Sequence, residues 1–343
     1  MKRDNIIISI ILIFILLNTI IVFLWPIRTN LMFNSYKPYS DEFIKSLNLT
    51  KDEALKLYLE TWQRERMFDY DELTSLRESL SIGQYVNINK NSGRLISNNP
   101  NSCEKNVFVY GGARIFGYDV TDNQTIPYYL REILKKNGLN HCVFNFGRAT
   151  FYSTQENILF QKHLLKNKIK ENDLLIFLDG DNEKGNEKLF ATNFIEENYI
   201  SLHQKYWLLY KTGVKNFIEL LPVTQLIEVL YNKTSFKKKK DKLKKKKVNN
   251  KSADIANVFD KNIKIRNAIC LEYNLQCHNF LFFSKKELVI PEVLKKYTEL
   301  KSTENIYDLT YPHIRNILSN KHNMLSPGSN KILAEKIYQN IIN

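Results

Sequence analysis

From Asn106 onward the chain alternates between short, mostly apolar runs and longer stretches whose apolar residues recur at helical spacing. Val107–Tyr110, Cys142–Phe146, Leu174–Leu178 and His278–Phe283 are bounded by Gly, Asn, Asp or Ser, which is the pattern of short strands buried on both faces. Helices are predicted between and after them. Thr125–Lys136 has Pro127 in its first turn and Gly138 beyond its end. A second helix runs from Ser153, which with Glu156 offers a capping box, to about Lys166. Ala253–Tyr273 and Ser329–Ile341 complete the set. Strand, crossover helix and strand in succession predict an α/β fold, with a parallel sheet flanked by helices in three layers. Upstream, Ser40 to about Leu80 reads as short helices, with a second capping box at Thr50 and Glu53. An amphipathic region from Ile200 to Tyr231, interrupted at Pro222, fills the interval before the third helix.

The N-terminal pattern is different. Ile6–Trp25 is twenty residues without a charge, enough at about 1.5 Å per residue to cross a bilayer core as a helix. A cleaved signal peptide would end in small residues, yet the first alanine is Ala54. An uncleaved single-pass anchor is therefore expected. Lys2 and Arg3 would keep the N-terminus in the cytoplasm and leave the main domain periplasmic or extracellular. The predicted organisation is an anchor over residues 1–28, a lead-in segment over 29–100, and an α/β domain over 101–343 with a Lys-rich insertion at 233–252.

A formal charge of +14 would suit a nucleic-acid binder, but +9 of it lies between Lys233 and Lys247, in KTSFKKKKDKLKKKK. A block of like charges with no aromatic interleaving is a solvated loop, with an anionic lipid or glycan surface as its next candidate contact, so no nucleic acid is expected. Four cysteines fit an oxidising compartment. Parallel neighbouring strands would bring Cys103 beside Cys142, and Cys270 lies close in sequence to Cys277. Two disulfides and four buried thiols are both compatible with this spacing. No spacing of Cys or His resembles a metal site, and no cofactor is expected.

The chemistry concentrates in NVFVYGGARIFG, Asn106–Gly117, where the first strand stops at Gly111 and Gly112 in a turn that lets backbone approach a ligand. Open parallel sheets bind ligands beyond the carboxyl ends of their strands. Ala113, Gly147 and Asn182 each follow such an end, and so share one crevice. Asp179, Asp181 and Glu183 crowd the same region. Two of them could form an acid/base pair or bind a divalent cation with Asn182, and otherwise they are a hydrogen-bonded turn with a solvated face.

Four segments in order carry a resemblance: GGARIFG, NFGRATFYSTQE (Asn145–Glu156), FLDGDNE (Phe177–Glu183) and MLSPGSNKILAEKIY (Met324–Tyr338). Together they resemble the SGNH (GDSL-like) hydrolases, in particular the membrane-anchored branch associated with envelope glycans. The match extends from about Trp62 to the C-terminus. It implies an ester-hydrolase fold with a flavodoxin-like sheet. Carried over, the family's serine falls on Ala113, its glycine on Gly147, its asparagine on Asn182, its histidine on Met324 and its aspartate on Lys321. The oxyanion side would keep Gly112, the amides of Ala113 and Gly147, and the Asn182 side chain, while nucleophile, base and orienting acid are all replaced. Arg148 could hold a carboxylate or phosphate in the same crevice, or make an ordinary surface ion pair. The resemblance therefore implies a catalytically disarmed protein that binds an acylated glycan or an envelope-assembly protein. The alternative is an esterase or O-acyltransferase using replacement groups, such as His322 or the acidic cluster. Ser153 reads as a helix cap.

Overall fold

The computed structural model describes residue 16 and residues 39–62, 68–71, 73–89, 93–148, 151–183, 251–283, 290–300, 306–309 and 324–342. Pro38–Glu187 and Lys251–Asn343 make one compact unit; Met1–Lys37 with Lys188–Asn250 make another, of which only Leu16 is described. Ile6–Trp25 otherwise lies outside the described residues, as do the 200–231 region, the lysine run, Lys321 and His322. Among the described residues no helix is long and apolar enough to cross a membrane.

The unit opens with helices α1 (Asp41–Leu47) and α2 (Lys51–Trp62). The capping box at α2 forms as the sequence predicts. Thr50 N donates to Glu53 Oε2 at 2.8 Å and Glu53 N donates to Thr50 Oγ1 at 3.3 Å. The helical expectation fails after Trp62, because Phe68–Asp71 (β1) and Ser75–Glu78 (β2) form an antiparallel hairpin. Its turn is closed by Asp71, whose Oδ1 accepts from the amides of Leu73 and Thr74, both at 3.1 Å. An aspartate bonding the backbone two and three residues on stabilises a turn over a helix. Two short strands, β3 (Ser81–Ile82) and β4 (Asn87–Ile88), form a second hairpin.

The main sheet comprises β5 (Lys105–Gly111), β6 (His141–Gly147), β7 (Leu174–Gly180), β8 (Gln276–Phe282) and β9 (Ile306–Asp308), all parallel, in the order β6-β5-β7-β8-β9. Period-two alternation sends the apolar residues of each central strand to opposite faces, and both are buried, as a crossover-covered sheet requires. Val107, Val109, Leu174, Ile176 and Leu178 join the core beneath α4 (Ile126–Lys136) and α8 (Pro327–Ile342). Phe108, Tyr110, Leu175 and Phe177 join Leu159 and Phe160 of α5 (Ser153–Leu165) on the other face. Helix α6 (Lys251–Glu272) packs beside α5 and leads into β8. The sequence pattern did not show α7 (Pro291–Leu300) or the three-residue β9.

Both cysteine pairs are bridged, with Cα–Cα distances of 5.5 Å for Cys103–Cys142 and 6.1 Å for Cys270–Cys277. The first ties the amino ends of β5 and β6 together. The second joins the end of α6 to the start of β8.

From residue 38 on, the lead-in segment belongs to the same unit as the sheet. Tyr39, Phe43, Leu47, Ala54 and Leu57 share an apolar cluster with Phe116, Tyr118 and Val120. Tyr39 Oη donates to Asp119 at 2.6 Å, and Trp62 Nε1 donates to the same carboxylate. The Glu60 carboxylate accepts from the amides of Gln84, Tyr85 and Val86 at 2.8–3.0 Å.

Candidate functional site

At the carboxyl edge of the sheet, Gly111 pairs with Gly147 of β6 on one side and with Leu178 of β7 on the other. Beyond Gly111 the chain makes one helical turn, α3 (Ala113–Phe116), closed by Gly117 at φ +87°. Gly147 is where that turn lies against β6, since a Cβ there would stand 2.6 Å from the Ile115 carbonyl carbon. Its amide donates to Asn145 Oδ1 at 3.0 Å, while Asn145 Nδ2 donates to Ile115 O at 2.8 Å. Buried Arg94 fixes the far end of the turn. Its guanidinium donates to the carbonyls of Phe116, at 3.0 Å, Gly117 and Val120, at 2.6 Å, and to Asp122 Oδ1 at 2.8 Å.

Between α3 and the loop after β7 lies a crevice enclosing about 20 Å³, space for a water-sized group. Gly112, Ala113 and Arg114 form one wall, and Asp181 and Asn182 form another. Arg114 and Asp181 are ion-paired across it. Burial pulls the Arg114 guanidinium down to about 9. Asn182 Nδ2 donates to Phe151 O at 2.9 Å and packs directly on Gly112.

The floor is a buried polar network. The Arg266 guanidinium lies 3.8 Å over the Phe177 ring; Nη1 donates to Asp179 Oδ2 at 2.9 Å and to Asn279 Oδ1 at 2.8 Å, and Nε donates to Asn157 Oδ1 at 2.8 Å. Ser153 gives both its amide, at 3.1 Å, and its hydroxyl, at 2.7 Å, to the Glu183 carboxylate, and Asn262 Nδ2 donates to Ser153 Oγ at 2.9 Å. Glu156 is 1% exposed; its carboxyl hydrogen-bonds to Asp179, and its Oε2 is ion-paired with Arg266 Nη2 at 3.8 Å. Burial first, then the charge of Asp179, raises the Glu156 carboxyl well above the usual range and pushes Glu183 up to about 8. Among the described residues no group of three or more His, Cys, Asp or Glu is placed to hold a metal ion.

The raised Glu183 carboxyl sets a pH dependence. An unfolded chain ionises this group near 4.5, whereas the folded chain holds its proton to about 8, so its contribution to stability is complete below 4.5 and is lost as pH rises through 8. The melting temperature of the native chain should therefore fall relative to that of Glu183→Gln between about pH 4.5 and 8. Parallel curves for the two chains would contradict this assignment.

The structure thus brings Gly112, Ala113 and Asn182 together and leaves Gly147 and Arg148 out of the lining. Gly147 uses its amide within the scaffold, so it is not placed as an oxyanion donor. Arg148 makes no surface ion pair. It is 3% exposed, Nε and Nη1 have no hydrogen-bond partner, and burial lowers it to about 10, opposed by Glu78 and Asp71 of the β1–β2 hairpin. The acidic cluster is not a solvated face either, because Asp179 and Glu183 are buried and Asp181 is in the ion pair. Ser153 is not the N-cap. Tyr152 holds that place, and the serine hydroxyl donates to Glu183 Oε2 instead of accepting from the helix amides. Ala113 and Met324, where the resemblance would place serine and histidine, are both half-buried against the apolar cluster that holds Phe116 and Tyr118. Sequence reasoning missed Arg114, Arg266, Asn157 and Asn262. A usable signal existed for two of them. Asn262 and Arg266 fall on the helical stripe of Phe259, Ile263 and Cys270, where a polar residue must find a buried partner.

The strand order is that of a doubly wound flavodoxin-like sheet, and the crevice sits at its switch point, between β5 and β7. That defines the class as an α/β protein with a carboxyl-rich crevice at the topological switch. No protein-family profile matches the sequence, and no curated protein matches it. Solved structures similar to it include one described as a lipolytic protein of the G-D-S-L family from Desulfitobacterium hafniense, at 12% identity over 69% of this chain and 99% of that one, TM-score 0.39. A lipolytic protein of the same family from Veillonella parvula aligns at 10% identity over 68% and 97%, TM-score 0.40. A lipase/acylhydrolase from Enterococcus faecalis aligns at 11% over 69% and 95%, TM-score 0.39. Likeness at this level has no bearing on activity.

Proposed function

We propose that this chain is an SGNH-type protein of the cell envelope, anchored through Ile6–Trp25, that binds a saccharide at the switch-point crevice and does not hydrolyse esters. The observation that carries the reading is the pair Ala113 and Met324, apolar side chains packed against one apolar cluster where the family would place nucleophile and base. Ester hydrolysis needs a hydroxyl, a proton acceptor beside it and donors facing the developing oxyanion. Losing the nucleophile or base of such a set costs about 10⁶ in turnover, or about 8 kcal/mol of barrier, which the Asn182 amide cannot replace. Ser153 and Glu183 do not substitute for them. That hydroxyl is fully buried, and Asn262 already donates to its oxygen.

The test is acetyl-ester hydrolysis by the full-length chain in detergent, beside an Ala113→Ser, Lys321→Asp, Met324→His variant. The native chain should stay at background and the variant should gain turnover. Native turnover abolished by Asn182→Ala or His322→Ala would sink the reading in favour of a rearranged esterase or O-acyltransferase.

A further inference from the structure

Outside the crevice, positive charge gathers along one flank of α5. Arg148, just beyond β6, shares this region with Arg77 of β2 and with Lys162, Lys166 and Lys168 from the last turn of α5 and the residues that follow it. Burial, and after it Lys168, Arg148, Lys162 and Lys166, pull the His163 imidazole down to about 3. The negative groups facing Arg148 are Asp71 and Glu78 of the β1–β2 hairpin. Asp71 is already engaged, because Oδ1 accepts from the amides of Leu73 and Thr74 and Oδ2 is ion-paired with Lys162. Glu78 Oε1 accepts from Tyr118 Oη at 3.4 Å. Arg148 itself is 3% exposed, and no acceptor reaches its Nε or Nη1. The two hairpin carboxylates attract it through space, yet burial outweighs them and pulls the guanidinium down to about 10. Buried charges are ordinarily hydrogen-bonded to a partner, and here two donors have none.

We infer that Arg148 receives the carboxylate of an acidic saccharide, in a subsite beside the crevice that the β1–β2 hairpin covers. This rests on the saccharide-binding reading above and names the ligand class. Position joins the two sites. Arg148 N donates to Gly111 O at 3.0 Å, and Phe151, which lines the crevice, donates its amide to Arg148 O at 3.5 Å. The backbone of Arg148 thus borders the crevice while its side chain lies among the charges of the hairpin and α5. The anion enters as the hairpin lifts. Polar contacts hold that cover down, among them Lys162 with Asp71 and Gln155 Nε2 with Thr74 O at 3.3 Å. Chemistry selects the group. A carboxylate supplies a charge-assisted acceptor to the open donors, which a neutral sugar does not. Its single charge balances one guanidinium, whereas a phosphate dianion would set an extra charge beside Glu78 and Asp71.

Calorimetry on the full-length chain in detergent at pH 7 decides the matter, using the trisaccharides of galacturonic acid and of N-acetylglucosamine and, separately, inorganic phosphate. The galacturonate trimer should bind at least about tenfold more tightly than either of the others. Arg148→Met should lose at least about tenfold in affinity for that trimer, and Arg148→Lys, which keeps the charge, should lose less. Without any ligand, Arg148→Met should melt about 2–4 °C above the native chain, because a cation lacking acceptors has left the interior. A lower melting temperature would show that the hairpin already satisfies Arg148, and overturns the inference. Galacturonate binding that Arg148→Met leaves unchanged overturns it too, since the anion then sits elsewhere. Phosphate bound as tightly as the trimer means an adventitious ion only, and equal binding of the neutral trimer means no recognition of charge. Either result removes the inference and leaves the saccharide reading standing. If neither trimer binds, the saccharide reading falls and takes this one with it.

Discussion

Replacing Arg266 with methionine should destabilise the protein by about 3–5 kcal/mol, the cost of leaving a buried carboxylate without its cation. Arg266 is fully buried and holds Asp179, Asn157 and Asn279 together while its planar face covers Phe177. Methionine can fill much of the volume but leaves Asp179 charged in an apolar setting, beside a Glu156 whose own ionisation is already disfavoured. Asp179→Asn in the same chain should recover a substantial part of the loss, because the charge that needed neutralising is gone. Urea unfolding of the single and double variants measures both. A double variant no more stable than Arg266→Met would show that packing, and not the ion pair, dominates at this position.

The second large effect is expected at Gly180, the last residue of β7 and the pivot from which Asp181, Asn182 and Glu183 enter the crevice. It has φ +138°, and a Cβ there would come within 2.7 Å of the Phe282 carbonyl carbon on β8. Gly180→Ala therefore meets backbone strain and a backbone clash together, about 3 kcal/mol or more. The loop must move to relieve them, so ligand affinity should fall along with stability. Gly328→Ala supplies the contrast, since nothing lies within 4 Å of its Cβ position and it sits in the first turn of α8. It should be neutral or stabilising by up to about 1 kcal/mol. If Gly180→Ala melts with the native chain, the strand end is more compliant than its packing implies.

Much of this architecture is legible in the sequence because parallel strands are buried on both faces and so appear as continuous apolar runs. Val107–Tyr110 and Leu174–Leu178 both lie within observed strands, and the cap and stop residues of α4 mark its ends. The hairpin at Phe68–Glu78 is hidden because its turn depends on the side chain of Asp71 and not on a glycine. Strand β9 is too short to carry a period. For the site, position was readable and chemistry was not. Ala113 and Asn182 follow strand ends and meet as expected. Glu156 looks like a capping residue, yet once α5 docks on α6 it becomes a buried carboxyl on the crevice floor. Arg266 is more than eighty residues from Asp179 in sequence, and only the completed sheet brings the two together.

The cluster shared by Tyr39 and Phe116 has a mechanical consequence. The polypeptide enters this unit at Tyr39, whose ring packs in that cluster and whose hydroxyl is held by Asp119, three residues beyond α3. Tension on the chain upstream would be borne first by these contacts, and through them by the turn that presents Ala113 and Arg114 to the crevice. The entry of the chain into this unit and the wall of the crevice are one piece of structure, so a pull on the chain before Tyr39 is also a pull on the crevice.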